Sequence, residues 1–170
     1  MPCGVALMII YHPAYDVHHC TYRLLNLLRA LECKEVSRDV LRMMDFYYVY
    51  PALLKLVKLP RPLLKYSSCI KSVADTFEIV PRPSALFYEL CRLQDSALRS
   101  LDQRSLISLR LNGVKLNLSR VPQRLIEEFE SDEFSSSTVF EALTTAFPKL
   151  RMDGKDGFKE RSGLMEFRYA

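Results

Sequence analysis

The sequence predicts a mostly helical α+β domain that carries one β-hairpin. Three observations favour this class: apolar residues recur at helical spacing over much of the chain, prolines and serines punctuate those segments, and one alternating stretch surrounds an Asn-Gly pair. Helices that precede a polar-faced hairpin are typical of winged-helix modules. We therefore expect a helical, winged-helix-like domain over residues 1–148, followed by a charged tail or edge strand over residues 149–170.

The first part of the chain contains one predicted strand and two predicted helices, with a further short helix at residues 52–57. Residues 5–11 form a continuous apolar, β-rich run that fits a buried strand. Asp16 is a good N-cap for an amphipathic helix over residues 17–31, because its carboxylate can accept orphan backbone N–H groups. Ser37 can cap a second helix in the same way, and Pro51 should interrupt that helix because proline lacks the N–H.

Three further helices and two short strands are predicted in the remainder. Ser84 caps a long helix, and a short strand at residues 77–80 precedes it. Pro122 begins another helix, since proline at the first helical position loses no internal hydrogen bond. Thr138 has the capping-box spacing that opens a last helix, and residues 164–169 can form a terminal strand.

The clearest local signal is the alternating stretch at residues 106–119. Asn112-Gly113 is a preferred pair for a type I′ turn, because both central positions of that turn need a positive φ. Polar and apolar residues alternate on either side, so the hairpin should have one polar and one apolar face. The predicted apolar face consists of Ile107, Leu109, Leu111, Val114, Leu116 and Leu118.

One cluster of the sequence offers metal-ligating or catalytic side chains: Asp16, His18, His19 and Cys20. Consecutive helical positions diverge by about 100°, so the two histidines cannot easily share a metal ion. The sequence contains no glycine-rich phosphate loop and no Cys-x-x-Cys pair. We therefore expect no catalytic site, cofactor or metal, and keep a small enzyme that uses these four residues as an alternative.

The composition favours an ordinary globular protein of the cytoplasm. Hydrophobic residues make up 49% of the chain and charged residues 26%, which predicts a real core. The net charge of +4 permits contact with nucleic acid, although solvated surface lysines explain it equally well. Five irregularly spaced cysteines fit reduced thiols, and the apolar stretch at residues 46–59 is too short and too charged to span a bilayer.

Two surfaces are predicted to contact other macromolecules. Consecutive aromatic residues on one helix cannot all face inward, and tyrosine is favoured at interfaces, although tertiary packing is an equal alternative. The predicted partner-binding residues are Tyr15, His18, His19, Arg23, Phe46, Tyr47, Tyr48 and Tyr50. Basic residues on or near the hairpin could reach DNA phosphates, or lie on a solvated sheet face. The predicted DNA-binding residues are Arg110, Lys115, Arg120 and Arg124.

Several short phrases resemble the middle component of bacterial three-component ABC systems. These phrases are YHPAYD at residues 11–16, CTYRLL at 20–25, LRMMDFY at 41–47, GKDGFK at 154–159 and RSGL at 161–164. Such components are similar to the small accessory subunit of Lamassu-type anti-phage and anti-plasmid systems, which itself resembles the winged-helix kleisin-interacting proteins of SMC complexes. The resemblance carries no family active site.

The resemblance implies a non-catalytic subunit that couples an SMC-like ABC ATPase to an effector, most simply a nuclease, in a DNA-sensing complex. It implies these two subunits as partners, double-stranded DNA through the complex, and no membrane. The absence of a nucleotide loop in this chain is consistent with an ATPase that is a separate chain. The alternative from the residues alone is an autonomous winged-helix DNA-binding protein, such as a transcriptional regulator.

Overall fold

The computed structural model describes residues 13–32, 34–75 and 82–165 of the 170-residue chain. The strands predicted at residues 5–11 and 77–80 lie outside these ranges. The described part is mostly helical with a single two-stranded antiparallel sheet, which confirms the α+β class. Its elements in chain order are α1 (Val17–Ala30), α2 (Arg38–Val49), α3 (Ser67–Ser72), α4 (Pro83–Gln103), β1 (Ile107–Leu109), β2 (Val114–Leu116), α5 (Gln123–Ser131), α6 (Thr138–Thr145) and α7 (Phe158–Ser162).

Two predicted caps begin the first two helices. The Asp16 carboxylate accepts the backbone N–H of His18 at 2.6 Å, which satisfies an orphan donor of α1. The Ser37 hydroxyl accepts the N–H of Val40 at 3.2 Å and does the same for α2. Pro51 ends α2 as predicted, and a 3-10 helix, Pro51–Leu56, follows directly.

Two other predicted caps lie too far along the chain, by two residues in α4 and by one residue in α6. Pro83 is the first residue of α4, and the preceding Arg82 is the N-cap, so Ser84 lies inside the first turn. Proline suits that place because its missing N–H would have no partner there. In α6 the cap is Ser137, whose hydroxyl accepts the N–H of Phe140 at 3.1 Å, and Thr138 is the first helical residue.

The hairpin is confirmed, but the predicted type I′ turn at Asn112-Gly113 is wrong. β1 and β2 pair with Ile107 opposite Leu116, and the N–H of Arg110 donates to the carbonyl of Gly113 at 2.8 Å. The turn is therefore centred one residue earlier than predicted, on Leu111 and Asn112. Residues of β1 and β2 still alternate between the two faces of the hairpin. Leu111 lies beyond the paired residues and is 95% exposed.

A third backbone segment explains the shifted turn. The N–H of Val114 donates to the carbonyl of Val36 at 2.8 Å, and the N–H of Val36 donates back to Val114 at 3.0 Å. A Cβ on Gly113 would lie 2.9 Å from the Val36 carbonyl oxygen, which is closer than real Cβ contacts. Gly113 is thus required for a close approach of the α1–α2 connection, and its φ is not positive.

The core lies where α1, α2 and α4 pack against one another. Four residues of the predicted apolar stripe of α1 are fully buried: Cys20, Leu24, Leu27 and Leu28. β2 covers one end of α1 with Val114 and Leu116. Burial of this apolar surface is the main favourable contribution to folding.

Part of the predicted tail also belongs to the core. Phe158 of α7 is 1% exposed, and its ring lies 5.1 Å from that of Phe147 and 6.0 Å from that of Tyr47. Leu164 and Met165 are buried and form a bend instead of the beginning of a strand. The other residues of the strand predicted at 164–169 lie outside the described part of the chain.

Candidate functional site

A buried carboxylate, Asp45, lies at the centre of the helical core. Arg23 donates to it from Nε at 2.6 Å and from Nη2 at 3.2 Å, and Gln94 donates from Nε2 at 2.9 Å. Burial on its own lowers the pKa of Arg23, but the charge and hydrogen bond of Asp45 outweigh this effect and raise it. The negative charge of Asp45 is compensated by Arg23, which explains why Arg23 can be buried. Together with Gln94, the two side chains join α1, α2 and α4.

The four residues considered for catalysis do not form one site. Cys20 is fully buried, with Sγ 4.0 Å from Asp45 Oδ2, whereas His18 and His19 are exposed and Asp16 caps α1. Burial raises the pKa of the Cys20 thiol, and the charge of Asp45 raises it further against the opposing effect of Arg23. Among the described residues, no group of three or more His, Cys, Asp or Glu side chains could hold a metal ion.

Three of the four neighbouring aromatic residues pack inside the protein. Phe46, Tyr47 and Tyr50 are each no more than 6% exposed, because α1, α4 and the C-terminal segments surround α2 on several sides. Their predicted exposure to a partner is therefore corrected to tertiary packing. Tyr48 is half-buried, and its ring lies 4.5 Å from that of Phe134.

The remaining aromatic, Tyr48, lines a groove with two other predicted partner-binding residues, His19 and Arg23. This groove, which we call the α1 groove, has a volume of about 400 Å³. It lies between α1, the end of α2 and the segment that follows α5. Its lining consists of Ala14, His19, Tyr22, Arg23, Tyr48, Val49, Asp132 and Phe134. Tyr15, beside Ala14, is 46% exposed.

Hydrogen bonds join α1 to the segment after α5, the two parts of the chain between which the α1 groove lies. The Tyr22 hydroxyl donates to Asp132 Oδ2 at 2.8 Å, and the Asn26 amide donates to the Ser135 hydroxyl at 2.7 Å. Burial raises the pKa of Tyr22, and the hydrogen bond to Asp132 raises it further. The groove therefore offers a rigid wall of aromatic and polar groups that suits recognition of another surface.

The predicted DNA-binding residues are all exposed and lie along the hairpin and the segment after it. Arg110 is in the turn, Lys115 is on β2, Arg120 follows β2, and Arg124 is on α5. Arg110 lies 4.0 Å from a Glu35 carboxylate oxygen, and Arg124 lies 3.5 Å from one of Glu128, four residues further along α5. These solvated pairs leave the side chains accessible.

Sequence reasoning missed a second group of basic residues. Arg38 and Arg42 of α2 and Arg99 of α4 line two cavities beside the hairpin. Arg38 and Arg42 are four residues apart, so helical spacing already places them on one face. The approach of Arg99 depends on how α4 packs and has no local signal.

The sequence matches a protein-family model over most of its length. The family model described as ABC-three component (ABC-3C) system Middle Component 5 matches residues 9–170. The chain belongs to this family. The resemblance to a middle component is thereby confirmed, and a middle component of a multi-component system works beside partner subunits.

Comparisons of this middle component with curated proteins and with solved structures found no relatives. Within the ranges that the structure describes, none of the helices combines the length and the apolar character that a bilayer span requires.

Proposed function

We propose that this middle component is a non-catalytic accessory subunit of the cytoplasm that couples an SMC-like ABC ATPase to an effector, a nuclease in the simplest case. The complex would sense foreign DNA as a Lamassu-type defence system. The family match over residues 9–170 is the observation that carries this proposal. The effector, the ATPase and the DNA are the partners it requires.

The chemistry of the described polar groups supports a binding role. The buried acid, Asp45, is held by Arg23 and Gln94, and the Cys20 thiol beside it has a raised pKa that keeps it protonated. A protonated, enclosed thiol is a poor nucleophile. The accessible polar and aromatic groups instead line the α1 groove, where a partner would displace water.

Within this proposal, the α1 groove contacts one companion subunit. Tyr15, His18, His19 and Tyr48 are the predicted partner-binding residues that lie in or beside it and are at least partly exposed, whereas Arg23 is buried against Asp45. Tyrosine contributes a large contact area at a small loss of conformational entropy, which favours it at such a surface.

Co-expression with the ATPase and the effector, followed by size-exclusion chromatography, tests the proposal. We expect the wild-type chain to elute with at least one companion, and the double variant Tyr15→Ser with His19→Ser to elute separately. Both side chains are exposed, so the variant should remain folded. Lys71→Ser, on exposed α3 surface, is the matched control. Separate elution of the wild-type chain from both companions would refute the coupling role.

The exposed basic residues favour a second candidate, an autonomous winged-helix DNA-binding protein. Lys115, Arg120 and Arg124 are exposed along the hairpin and the residues that follow it. This candidate requires that the isolated chain binds a labelled DNA duplex, that salt weakens the binding, and that substitution of these three residues by Glu abolishes it. No binding at low salt removes it.

A further inference from the structure

A cleft lined with arginine residues lies beside the hairpin and shares no lining residue with the α1 groove. Two cavities of about 420 and 350 Å³ share Arg38 and Arg42 in their linings, and Arg99 lines the second. Leu109 and Leu111 of the hairpin complete the walls. We call this feature the arginine cleft.

The carboxylates of the cleft already have cationic partners. Asp95 accepts from Nη2 of Arg42, and Asp39 accepts from the Lys159 ammonium group at 2.6 Å. Burial lowers the pKa of Lys159, but its bonds to Asp153 and Asp39 outweigh this effect and raise it. The charge of Asp39 is thus compensated by a residue that does not line the cleft.

Two of the guanidinium groups, those of Arg38 and Arg99, have N–H donors that are not used within the described part of the protein. Arg38 donates from Nη2 to the carbonyl of Arg110 at 3.2 Å, and Arg99 donates from Nε to the carbonyl of Asp95 at 3.2 Å. Each of these two guanidinium groups therefore has further N–H donors beside that single bond. Guanidinium groups bind carboxylates and phosphates through paired N–H donors, so an anionic group fits here.

The apolar rim distinguishes between these two anions. Leu111 is 95% exposed at the hairpin tip, and Leu109 is half-buried in the adjoining wall. Exposed leucine gains free energy only when an apolar surface covers it, which a protein segment provides. The combination favours an acidic protein segment with an apolar side chain.

The cleft is also fixed in shape before any partner arrives. The bridge between Val36 and Val114 and the bond from Arg38 to the Arg110 carbonyl hold the hairpin against the start of α2. Preorganised groups lose less conformational entropy on binding than mobile ones.

We propose that the arginine cleft docks an acidic segment of a companion protein, whose carboxylates bind Arg38 and Arg99 and whose apolar side chain covers Leu111. This inference rests on the proposed function, because that function supplies the companion.

An array of overlapping peptides that tiles the ATPase and effector sequences, probed with the full-length chain, tests the inference. We expect retention by peptides that combine Glu or Asp with apolar residues. Arg99→Glu and Leu111→Ser should each weaken this retention about tenfold, a typical loss at an interface anchor. Lys71→Glu, which makes the same charge change on α3, should leave it unchanged. A thermal melt of each variant establishes that it is folded.

Two outcomes overturn the inference. One is that no acid-rich peptide shows retention that depends on Arg99. The other is that Leu111→Ser leaves retention unchanged while Arg99→Glu abolishes binding of a labelled DNA duplex, which would assign the cleft to nucleic acid. If the wild-type chain elutes with full-length companions but the cleft variants elute with them equally, the inference fails while the coupling role stands. If cleft-dependent peptides exist but no companion elutes with the chain, the coupling role fails alone.

Discussion

Arg23 of α1 and Asp45 of α2 form a two-point ion pair in the core, with Nε to Oδ1 at 2.6 Å and Nη2 to Oδ2 at 3.2 Å. Removal of one partner leaves the other charge buried without compensation, so Asp45→Ala should lower the free energy of unfolding by about 3–5 kcal/mol. Chemical denaturation measures this change. Asp75→Ala is the control: it breaks a pair with Lys55 in which Asp75 is 86% exposed, and should cost less than about 1 kcal/mol. Equal effects would contradict the structural role of Asp45.

The burial of the Tyr22 hydroxyl, together with its bond to Asp132, predicts a loss of stability at high pH. The pKa of Tyr22 is raised in the folded state, so its contribution is complete below the ordinary tyrosine pKa of about 10 and is lost as pH rises through the higher folded value. Denaturation curves at increasing pH should show a smaller decrease for Tyr22→Phe than for the wild type. Parallel curves for the two proteins would contradict a raised pKa of Tyr22 in the folded state.

The close approach at Gly113 predicts a steric penalty for any added side chain. In Gly113→Ala the new Cβ meets the Glu35 side chain at 2.7 Å and the Val36 carbonyl at 2.9 Å. Glu35 can move, but the Val36 backbone cannot shift without weakening its bridge to Val114, so we expect a loss of about 1–3 kcal/mol. Asn112→Ala, on the exposed turn, should change stability by less than about 0.5 kcal/mol. Equal losses of stability in the two variants would mean that the contact between Gly113 and Val36 does not exclude a side chain.

The cap of α6 can be located by a pair of alanine substitutions. Ser137→Ala removes the acceptor of the Phe140 N–H and should cost about 1 kcal/mol. Thr138→Ala, at the exposed first helical residue, should stay within about 0.5 kcal/mol. Thermal denaturation of both variants distinguishes the two residues, and the reverse order would restore Thr138 as the cap.

The ring cluster around Phe158 predicts that the C-terminal segment stabilises the whole fold. Phe158→Ala removes a fully buried ring from contact with Tyr47 and Phe147 and should cost about 3–5 kcal/mol. Lys155→Ala, exposed in the same segment, should have almost no effect on urea denaturation. A mild effect of Phe158→Ala would indicate that the segment is only peripheral.

The sequence is most informative where a structure depends on near neighbours. Asp16 and Ser37 cap their helices as predicted, because each cap needs only a side-chain oxygen and the next turn of backbone. The hairpin turn depends instead on Val36, which lies far away in the chain, and no pattern around Asn112-Gly113 indicates that contact.

The same limit applies to the candidate sites. The sequence places Tyr48 on a helix but cannot indicate that Phe46 and Tyr47 are enclosed on several sides, because that depends on how many elements surround α2. Arg38 and Arg42 share a face by spacing alone, whereas Arg99 reaches them only through the packing of α4. Local signals therefore predict elements and faces, and tertiary packing decides which faces remain accessible.

The bridge from Val36 also affects how copies of the chain meet one another. Unpaired strand edges can recruit strands from other molecules and lead to aggregation. Here the N–H and the carbonyl of Val114 that point away from β1 form hydrogen bonds with the backbone of Val36. On the other edge, the N–H of Leu109 donates to the Asp102 carboxylate at 3.0 Å. Both edges of this small sheet therefore have hydrogen-bonding groups that are already occupied, which disfavours addition of a strand from another copy of the chain. The hairpin can expose Leu111 at its tip without promoting such edge-to-edge association.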